Sequence, residues 1–254
     1  MSNTKISFLA SNEPKVIDAA ERLKTNYGNC DLSEAAVIVA LGGDGFMLGT
    51  LHDNMKRGLP VYGMNFGTVG FLMNDFSNEG LIQRLSRAEE TIINPLSMTA
   101  KCLDGSTKTA LAINEVSLLR SSSQAAKLRI LIDGKERMQE LVCDGALVST
   151  PAGSTAYNYS AHGPILPINA DILALTAMAA YRPRRWRGAV LNSEATILFE
   201  ILETEKRPVS AVADSVEVEN VISVAIKSNK KIKHRLLFDP GHGLEERLIS
   251  EQFS

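Results

Sequence analysis

The sequence predicts a two-domain protein, an N-terminal doubly wound α/β domain followed by a C-terminal all-β, sandwich-like domain. Three observations carry this reading. Over about the first ninety residues, continuous apolar runs alternate with segments whose apolar residues recur at helical spacing. Beyond Pro95 the pattern changes to short segments of alternating polarity, many of them separated by turn signals such as Asp104-Gly105 and Asp133-Gly134. One apolar run also stops abruptly at Gly42-Gly43-Asp44-Gly45, and a helical pattern follows. The expected boundaries are 1–95 plus a C-terminal helix at about 239–254 for the α/β domain, and 96–238 for the all-β domain.

Taken in order, Lys5–Ala10 is a short apolar strand. Glu13–Tyr27 is a helix with Val16, Ile17, Ala20 and Leu23 on one side and Pro14 near its start, where a missing N–H costs little. Ala36–Leu41 is apolar throughout, as a strand covered on both faces must be. Phe46–Arg57 is the next helix, with Gly58 to end it; Val61–Met64 is a strand and Glu79–Arg87 a helix. This alternation calls for a parallel sheet with helices on its faces. The β region offers strands at Leu96–Leu103, Thr109–Leu119, Leu128–Ile132, Gln139–Val148, Ala189–Leu191, Thr196–Leu202, Val209–Val212, Val216–Val224 and Lys231–Phe238. A polar interruption occupies Thr150–Ala180, and Leu244–Ile249 is a short helix able to dock back onto the first domain.

Composition narrows the class. With 44% hydrophobic and 22% charged residues the chain has ordinary globular usage and ample material for a core. A formal net charge of −2 argues against a nucleic-acid partner, and no stretch approaches the ~18–20 apolar residues of a membrane span. The three cysteines, Cys30, Cys102 and Cys143, are widely spaced and odd in number; they read as free thiols in a cytoplasmic protein without a structural zinc. The histidines form no close pair at helical spacing, so no metal-ligand cluster is expected. The basic run Arg182–Arg187 stands alone and reads as a solvated loop or a subunit contact.

The turn Gly42–Gly45 joins a strand to a helix, where free backbone N–H groups and the positive end of the helix dipole suit a phosphate. Glycines let the backbone approach an anion closely and adopt positive φ. Asp44 needs another reason, because phosphates repel a carboxylate. Holding Mg²⁺ or accepting a proton from an attacking hydroxyl would supply one, and both belong to phosphoryl transfer. The structural alternative is a tight turn with Asp44 as the helix N-cap. Neither a P-loop nor the dinucleotide fingerprint fits: no glycine precedes Lys108-Thr109, and Gly49 falls one place late.

Residues Cys143–Pro167 run from a strand into small hydroxyl-bearing residues and two tyrosines, with Ser154 or Thr155 as a possible cap for a short helix. Small residues admit a flat ligand, tyrosines give it stacking faces, and hydroxyls fix its polar edges. Asn114-Glu115 adds a polar pair within an alternating strand pattern, and His162 lies in the same loop as the tyrosines.

In this order, Gly42-Gly43-Asp44-Gly45, Asn114-Glu115, Asp144-Gly145 and Thr150-Pro151-Ala152-Gly153-Ser154-Thr155-Ala156-Tyr157 resemble the NAD kinase family over most of the chain. The resemblance implies transfer of the γ-phosphate of ATP, or of another phosphoryl donor, to the 2′-hydroxyl of the adenosine ribose of NAD, with a divalent cation, Mg²⁺. It implies Asp44 as general base, Gly42, Gly43 and Gly45 around the donor phosphates, and Gly45 beside the substrate. Asn114 and Glu115 would contact NAD, Asp144 its nicotinamide end, and Phe71 its adenosine. Thr155, Ala156, Tyr157 and Ser160 would form the adenine-side pocket, with Ala152 and Asn158 also binding NAD. Ala213-Asp214-Ser215 stands where many relatives carry Asp-Gly-Gln, so Asp214 would face the ligand. Position 152 lacks the hydroxyl of some relatives. The resemblance also implies a homodimer or homotetramer. Two competitors share parts of the pattern: a non-catalytic NAD(P)-binding sensor, and a related lipid or sugar kinase with the same glycine–aspartate turn.

Overall fold

The computed structural model describes residues 4–68, 70–241 and 243–247. It divides into two compact units, one drawn from Met1–Ile93 and Ile232–Ser254, the other from Asn94–Lys231.

The first unit begins with β1 (Ile6–Ala10), α1 (Pro14–Tyr27), β2 (Val37–Gly42), α2 (Asp44–Asn54), β3 (Val61–Asn65), β4 (Asn74–Asp75), α3 (Leu81–Arg87) and β5 (Glu89–Ile93). Strand β2 is buried along its whole length, as its unbroken apolar run dictates. Helix α1 buries Val16, Ala19, Ala20 and Leu23, whereas Ile17, expected on the same side, is 43% exposed. Helix α2 starts at Asp44, two residues before the expected Phe46. It stops at Asn54, short of Arg57, because the Gly58 N–H folds back onto the Asn54 carbonyl and Gly58 takes a φ of 62°. Helix α3 begins at Leu81 after Gly80 in the left-handed region.

The second unit contains β6 (Leu96–Cys102), β7 (Thr107–Ala112), β8 (Glu115–Arg120), β9 (Ala126–Ile132), β10 (Lys135–Cys143) and β11 (Gly145–Ser149). A 3₁₀ turn (Ala152–Thr155) and the one-turn helix α4 (Tyr157–Ser160) follow. The strands resume with β12 (Ile172–Met178), β13 (Gly188–Asn192), β14 (Ile197–Ile201), β15 (Val209–Ala213), β16 (Val216–Val218) and β17 (Val221–Ser228). They form two antiparallel sheets, β10-β9-β14-β17-β6-β7 and β13-β12-β11-β8-β15-β16. Alternate residues of both, among them Leu96, Val116, Leu128, Val148, Phe199 and Val224, enter one shared core.

Three segments expected as single strands, Thr109–Leu119, Gln139–Val148 and Val216–Val224, are each two. The chain leaves one sheet and enters the other at Ile113-Asn114, at Asp144 and again at Glu219-Asn220. Strand β12 lies inside the expected polar interruption.

The chain then returns to the first unit as β18 (His234–Phe238), a strand expected to belong to the β region. It pairs parallel with β3 and antiparallel with β5. The first sheet, β1-β2-β3-β18-β5 with β4 beside β3, is therefore mixed where the sequence called for a parallel one. Past β18 the chain is helical over 244–247; the rest of the expected tail helix lies outside the described residues. The first unit is thus α/β and the second all-β, the fold class the sequence predicts.

Candidate active site

In the first unit the chemistry gathers where β2 meets α2. Gly43 is the N-cap and Asp44 the first helical residue, so Asp44 does not cap its own helix. Its carboxylate reaches the loop before β4. The Phe71 N–H donates to Oδ2 at 2.7 Å and the Leu72 N–H to Oδ1 at 2.8 Å. Each carboxylate oxygen retains lone-pair capacity beyond its single amide, and the helix dipole favours the negative charge there.

The loop that grips Asp44 is itself fixed. Gly70 has a φ of 70°, and a side chain on it would run into the Asn65 amide. The Gly70 carbonyl accepts a hydrogen bond from Arg247 Nη1 at 2.7 Å, while the guanidinium lies 5.9 Å from the Phe238 ring centroid. The C-terminal segment thus fastens the loop that fastens Asp44. Positive φ, expected at the glycines of the turn, is found at Gly70 and not at Gly42, Gly43 or Gly45. Of these three only Gly42 is demanded by packing within the fold, since a Cβ there would sit 2.8 Å from the Phe46 Cβ; a Cβ on Gly43 would make an ordinary 3.8 Å contact with the Gly67 Cα, and nothing lies within 4 Å of where one on Gly45 would be.

In the second unit three turns converge at one end of the β13–β16 sheet. Central strand β8 starts at Glu115, opposite Ser149, the last residue of β11; β15 flanks its other side and ends beside Asp214. The Asn114–Glu115 turn is held from both directions. Thr150 donates through its backbone N–H to the Asn114 carbonyl at 2.9 Å and through its hydroxyl to the Ile113 carbonyl at 2.7 Å. Asp214 accepts from the N–H groups of Ile113, Asn114 and Glu115 at 2.6, 3.0 and 3.4 Å. The side-chain amide of Asn114 makes no hydrogen bond among the described residues.

Glu115 is largely buried, and its Oε2 has no hydrogen-bond partner. Burial pushes its carboxyl up to about 7; the Asp214 carboxylate adds to the rise and the Tyr157 backbone N–H opposes it. A half-titrated carboxyl with a free acceptor, set beside an unpaired amide, is poised to bind a polar ligand rather than to hold the fold together.

Gly153 packs directly on the Asn114 backbone, so a Cβ there would overlap it. Gly153→Ala is expected to destabilise the protein by about 1–3 kcal/mol as the turn is forced away. Thermal unfolding reads this, and an unchanged midpoint would contradict the packing described.

Several of the expected ligand residues make internal contacts. Asn158 is fully buried: its amide donates to the Ser154 and Pro164 carbonyls, and its oxygen accepts from the Thr176 hydroxyl at 2.6 Å. It shapes the loop. Ala152 is only 4% exposed. Asp214 is engaged with backbone amides. Neither Ser154 nor Thr155 caps α4; the Ser154 hydroxyl donates to the Pro151 carbonyl and accepts from the Leu166 N–H, closing the loop on itself.

Tyr157 and Ser160 remain exposed, with Thr155 and Ala156 partly so. Tyr157, Ser160 and His162 line an open cavity of about 790 Å³ together with Arg120, Asp144 and Met178. Arg120 Nε donates to Asp144 Oδ1 at 2.7 Å, so Asp144 enters the cavity as half of an ion pair. Arg120 went unnoticed in the sequence; its only signal was its place at the end of the strand that begins with Glu115. The basic segment stands mostly exposed, with the Arg182 N–H donating to the Val142 carbonyl. Among the described residues no three His, Cys, Asp or Glu side chains gather as a metal site.

Residues 4–91 match the ATP-NAD kinase N-terminal domain, and residues 113–231 the ATP-NAD kinase C-terminal domain. The chain is 62% identical over 253 residues to an NAD kinase of Cereibacter sphaeroides, covering 100% of both chains. It is 56% identical to an NAD kinase of Caulobacter vibrioides, covering 99% of this chain and 96% of the other. Among solved structures it resembles an NAD kinase from Archaeoglobus fulgidus in complex with ATP, with a TM-score of 0.76 and 25% identity, covering 97% of this chain and 96% of that one. It shares its fold with a yeast NADH kinase at a TM-score of 0.81 and 21% identity, covering 99% and 88% of the two chains.

Proposed function

The chain belongs to the ATP-NAD kinase family, and from that premise we propose how it phosphorylates NAD: Asp44 takes the proton of the 2′-hydroxyl of the adenosine ribose as that oxygen attacks the γ-phosphorus of ATP. The bond from the γ-phosphorus to the β,γ-bridging oxygen breaks, the new bond to the ribose oxygen forms, and ADP leaves with the bridging oxygen. A ribose hydroxyl is a poor nucleophile at neutral pH, so a carboxylate positioned on it contributes about 10²–10⁴-fold.

The observation that carries this reading is the hold on Asp44. Two backbone N–H groups grip its two oxygens at 2.7 and 2.8 Å, fixing the carboxylate at the head of α2 with acceptor capacity to spare. A purely structural N-cap would bond its own helix. The open first turn of α2, with Gly43 and Gly45, would receive the donor phosphates. Asn114 and Glu115 would accept and donate to the NAD ribose, Tyr157 and Ser160 would bound the adenine side, and the Arg120–Asp144 pair would meet the nicotinamide end.

Mg²⁺ enters the proposal on the ATP phosphates. No three His, Cys, Asp or Glu side chains gather as a metal site among the described residues, so the donor phosphates would supply most of the cation's ligands and Asp44 is kept for the proton. When bound, the cation neutralises charge on the transferring group. We also place the protein in the cytoplasm as a homodimer or homotetramer. The three free cysteines support the first, and the family resemblance supports the second.

The test is direct. Purified protein is incubated with NAD, ATP and Mg²⁺, with diacylglycerol and fructose 6-phosphate as alternative acceptors, and products are separated by chromatography. NADP⁺ and ADP in equal amounts are expected from the NAD reaction, and no phosphorylation of the other two. Tight binding of NAD without NADP⁺ would leave a sensor, and transfer to the lipid or the sugar would leave a different kinase.

A further inference from the structure

Asp214 lies in the tight turn between β15 and β16, at a φ of 49° that few residues other than Gly, Asn and Asp accept. In that conformation its side chain turns back along the end of the sheet. Oδ2 accepts from the Ile113 N–H at 2.6 Å, and Oδ1 from the N–H groups of Asn114 at 3.0 Å and Glu115 at 3.4 Å. The Asp214 N–H in turn donates to the Glu115 carbonyl at 3.2 Å. One residue thus engages the backbone of three successive positions.

Those positions are where the chain leaves β7 for β8, crossing from one sheet to the other. No ladder can pair the amides of a crossing, and an unpaired buried N–H is costly, so such a turn needs an outside acceptor. A carboxylate with two oxygens can serve three convergent donors, which a serine or an amide side chain cannot. From the opposite side, Thr150 bonds the carbonyls of Ile113 and Asn114. With their backbones fixed on both sides, the Asn114 amide and Glu115 Oε2 are left without partners of their own.

We propose that Asp214 is a positioning residue that touches no substrate: by clamping the amides of Ile113, Asn114 and Glu115 it presents the Asn114 and Glu115 side chains to NAD. This rests on the reading of NAD as the ligand of those two side chains. It also accounts for a site tolerating Ser215 and Val216 after the aspartate, since neither residue's side chain takes part in the clamp.

The experiment uses the full-length enzyme and two variants. Asp214→Asn keeps a residue suited to positive φ but loses one acceptor oxygen. Asp214→Gly keeps the backbone conformation without strain and loses both. Amide hydrogen exchange and steady-state kinetics are measured on each. Exchange at Ile113, Asn114 and Glu115 is expected to accelerate at least 10-fold while protection in β9 and β14 is kept. KM for NAD is expected to rise at least 10-fold, more in the glycine variant, with kcat changing less than about 3-fold and KM for ATP unchanged. Unaltered exchange at the three amides would overturn the clamp. Faster exchange with an unchanged KM for NAD, or equal losses in kcat and both KM values, would overturn the link to substrate. A wild-type enzyme that makes no NADP⁺ would overturn the underlying reading of the ligand and the substrate half of this inference with it; the exchange data would still decide the clamp.

Discussion

Asp44→Asn is expected to bind NAD and to turn it over about 10²–10⁴-fold more slowly than the wild-type enzyme, a barrier increase of about 3–5 kcal/mol. The amide is isosteric with the carboxylate but cannot take a proton from the ribose hydroxyl. Its geometry is nearly kept: the amide oxygen still accepts from Phe71 or Leu72, but the amide nitrogen then faces the other N–H. That mismatch costs about 1–3 kcal/mol locally, so a modest drop in thermal midpoint accompanies the loss of rate. The discriminating comparison is between kcat and the Kd for NAD measured by calorimetry. A loss confined to kcat places Asp44 on the reacting atoms. Turnover within a few-fold of wild type in the folded variant would remove it from the reaction.

Glu115→Gln is expected to make the protein more stable at pH 8 while weakening its hold on NAD. In the folded protein burial raises the Glu115 carboxyl from 4.5 to about 7, so the folded state binds its proton more tightly than the unfolded chain. Stability therefore falls as pH rises from about 4.5 through about 7, and the full penalty is present above that. At pH 8 the neutral glutamine removes a penalty of up to about 3 kcal/mol; at pH 4 it gains nothing. Thermal unfolding at the two pH values reads this difference. In NAD binding the sign reverses, because the ionised carboxylate is the better acceptor for a ribose hydroxyl. Its loss is expected to raise Kd about 10–100-fold at pH 8. Wild-type affinity should also weaken as pH falls below about 7, while that of the variant stays flat. Equal stability of the two proteins at pH 8 would refute the buried-carboxylate account. Equal affinity would take Glu115 out of the NAD site.

The opposing effects have a common origin. A buried acceptor left unpaired is a cost the fold carries so that a ligand can be held. The Asn114 amide beside it also makes no hydrogen bond among the described residues, and neither feature could be inferred from residue type alone.

Local features were the most legible in the sequence. The glycine–aspartate turn, the buried β2 run and the spacing of α1 each depend on residues close along the chain. What grips Asp44 was hidden, because the donors are backbone amides 27 and 28 residues away and any residue type supplies an amide. The bonds of Asn158 were hidden for a related reason: nothing in a polar loop's sequence shows that its asparagine ties Ser154, Pro164 and Thr176 together. The strand breaks at Ile113-Asn114 and Asp144 left no mark in the alternation. Both sheets bury one face in the same core, so the period of two survives the crossing. Strand β18 alternates in burial just as the β-unit strands do, and its membership of the first sheet is decided by pairing with β3, more than 170 residues earlier. Strand β5, with mostly exposed residues at the edge of its sheet, offered no apolar pattern at all.

The central claim is that the Asp44 carboxylate receives the proton of the ribose 2′-hydroxyl. It is tested most directly by a crystal structure of the enzyme with NAD and a non-transferable ATP analogue, in which the distance from the nearer Asp44 oxygen to the 2′-oxygen is measured. The account predicts hydrogen-bond reach, about 2.6–3.2 Å, with the Phe71 and Leu72 amides still on the carboxylate. A 2′-oxygen lying beyond about 5 Å with no bridging water, or bonded to another general base, would contradict it.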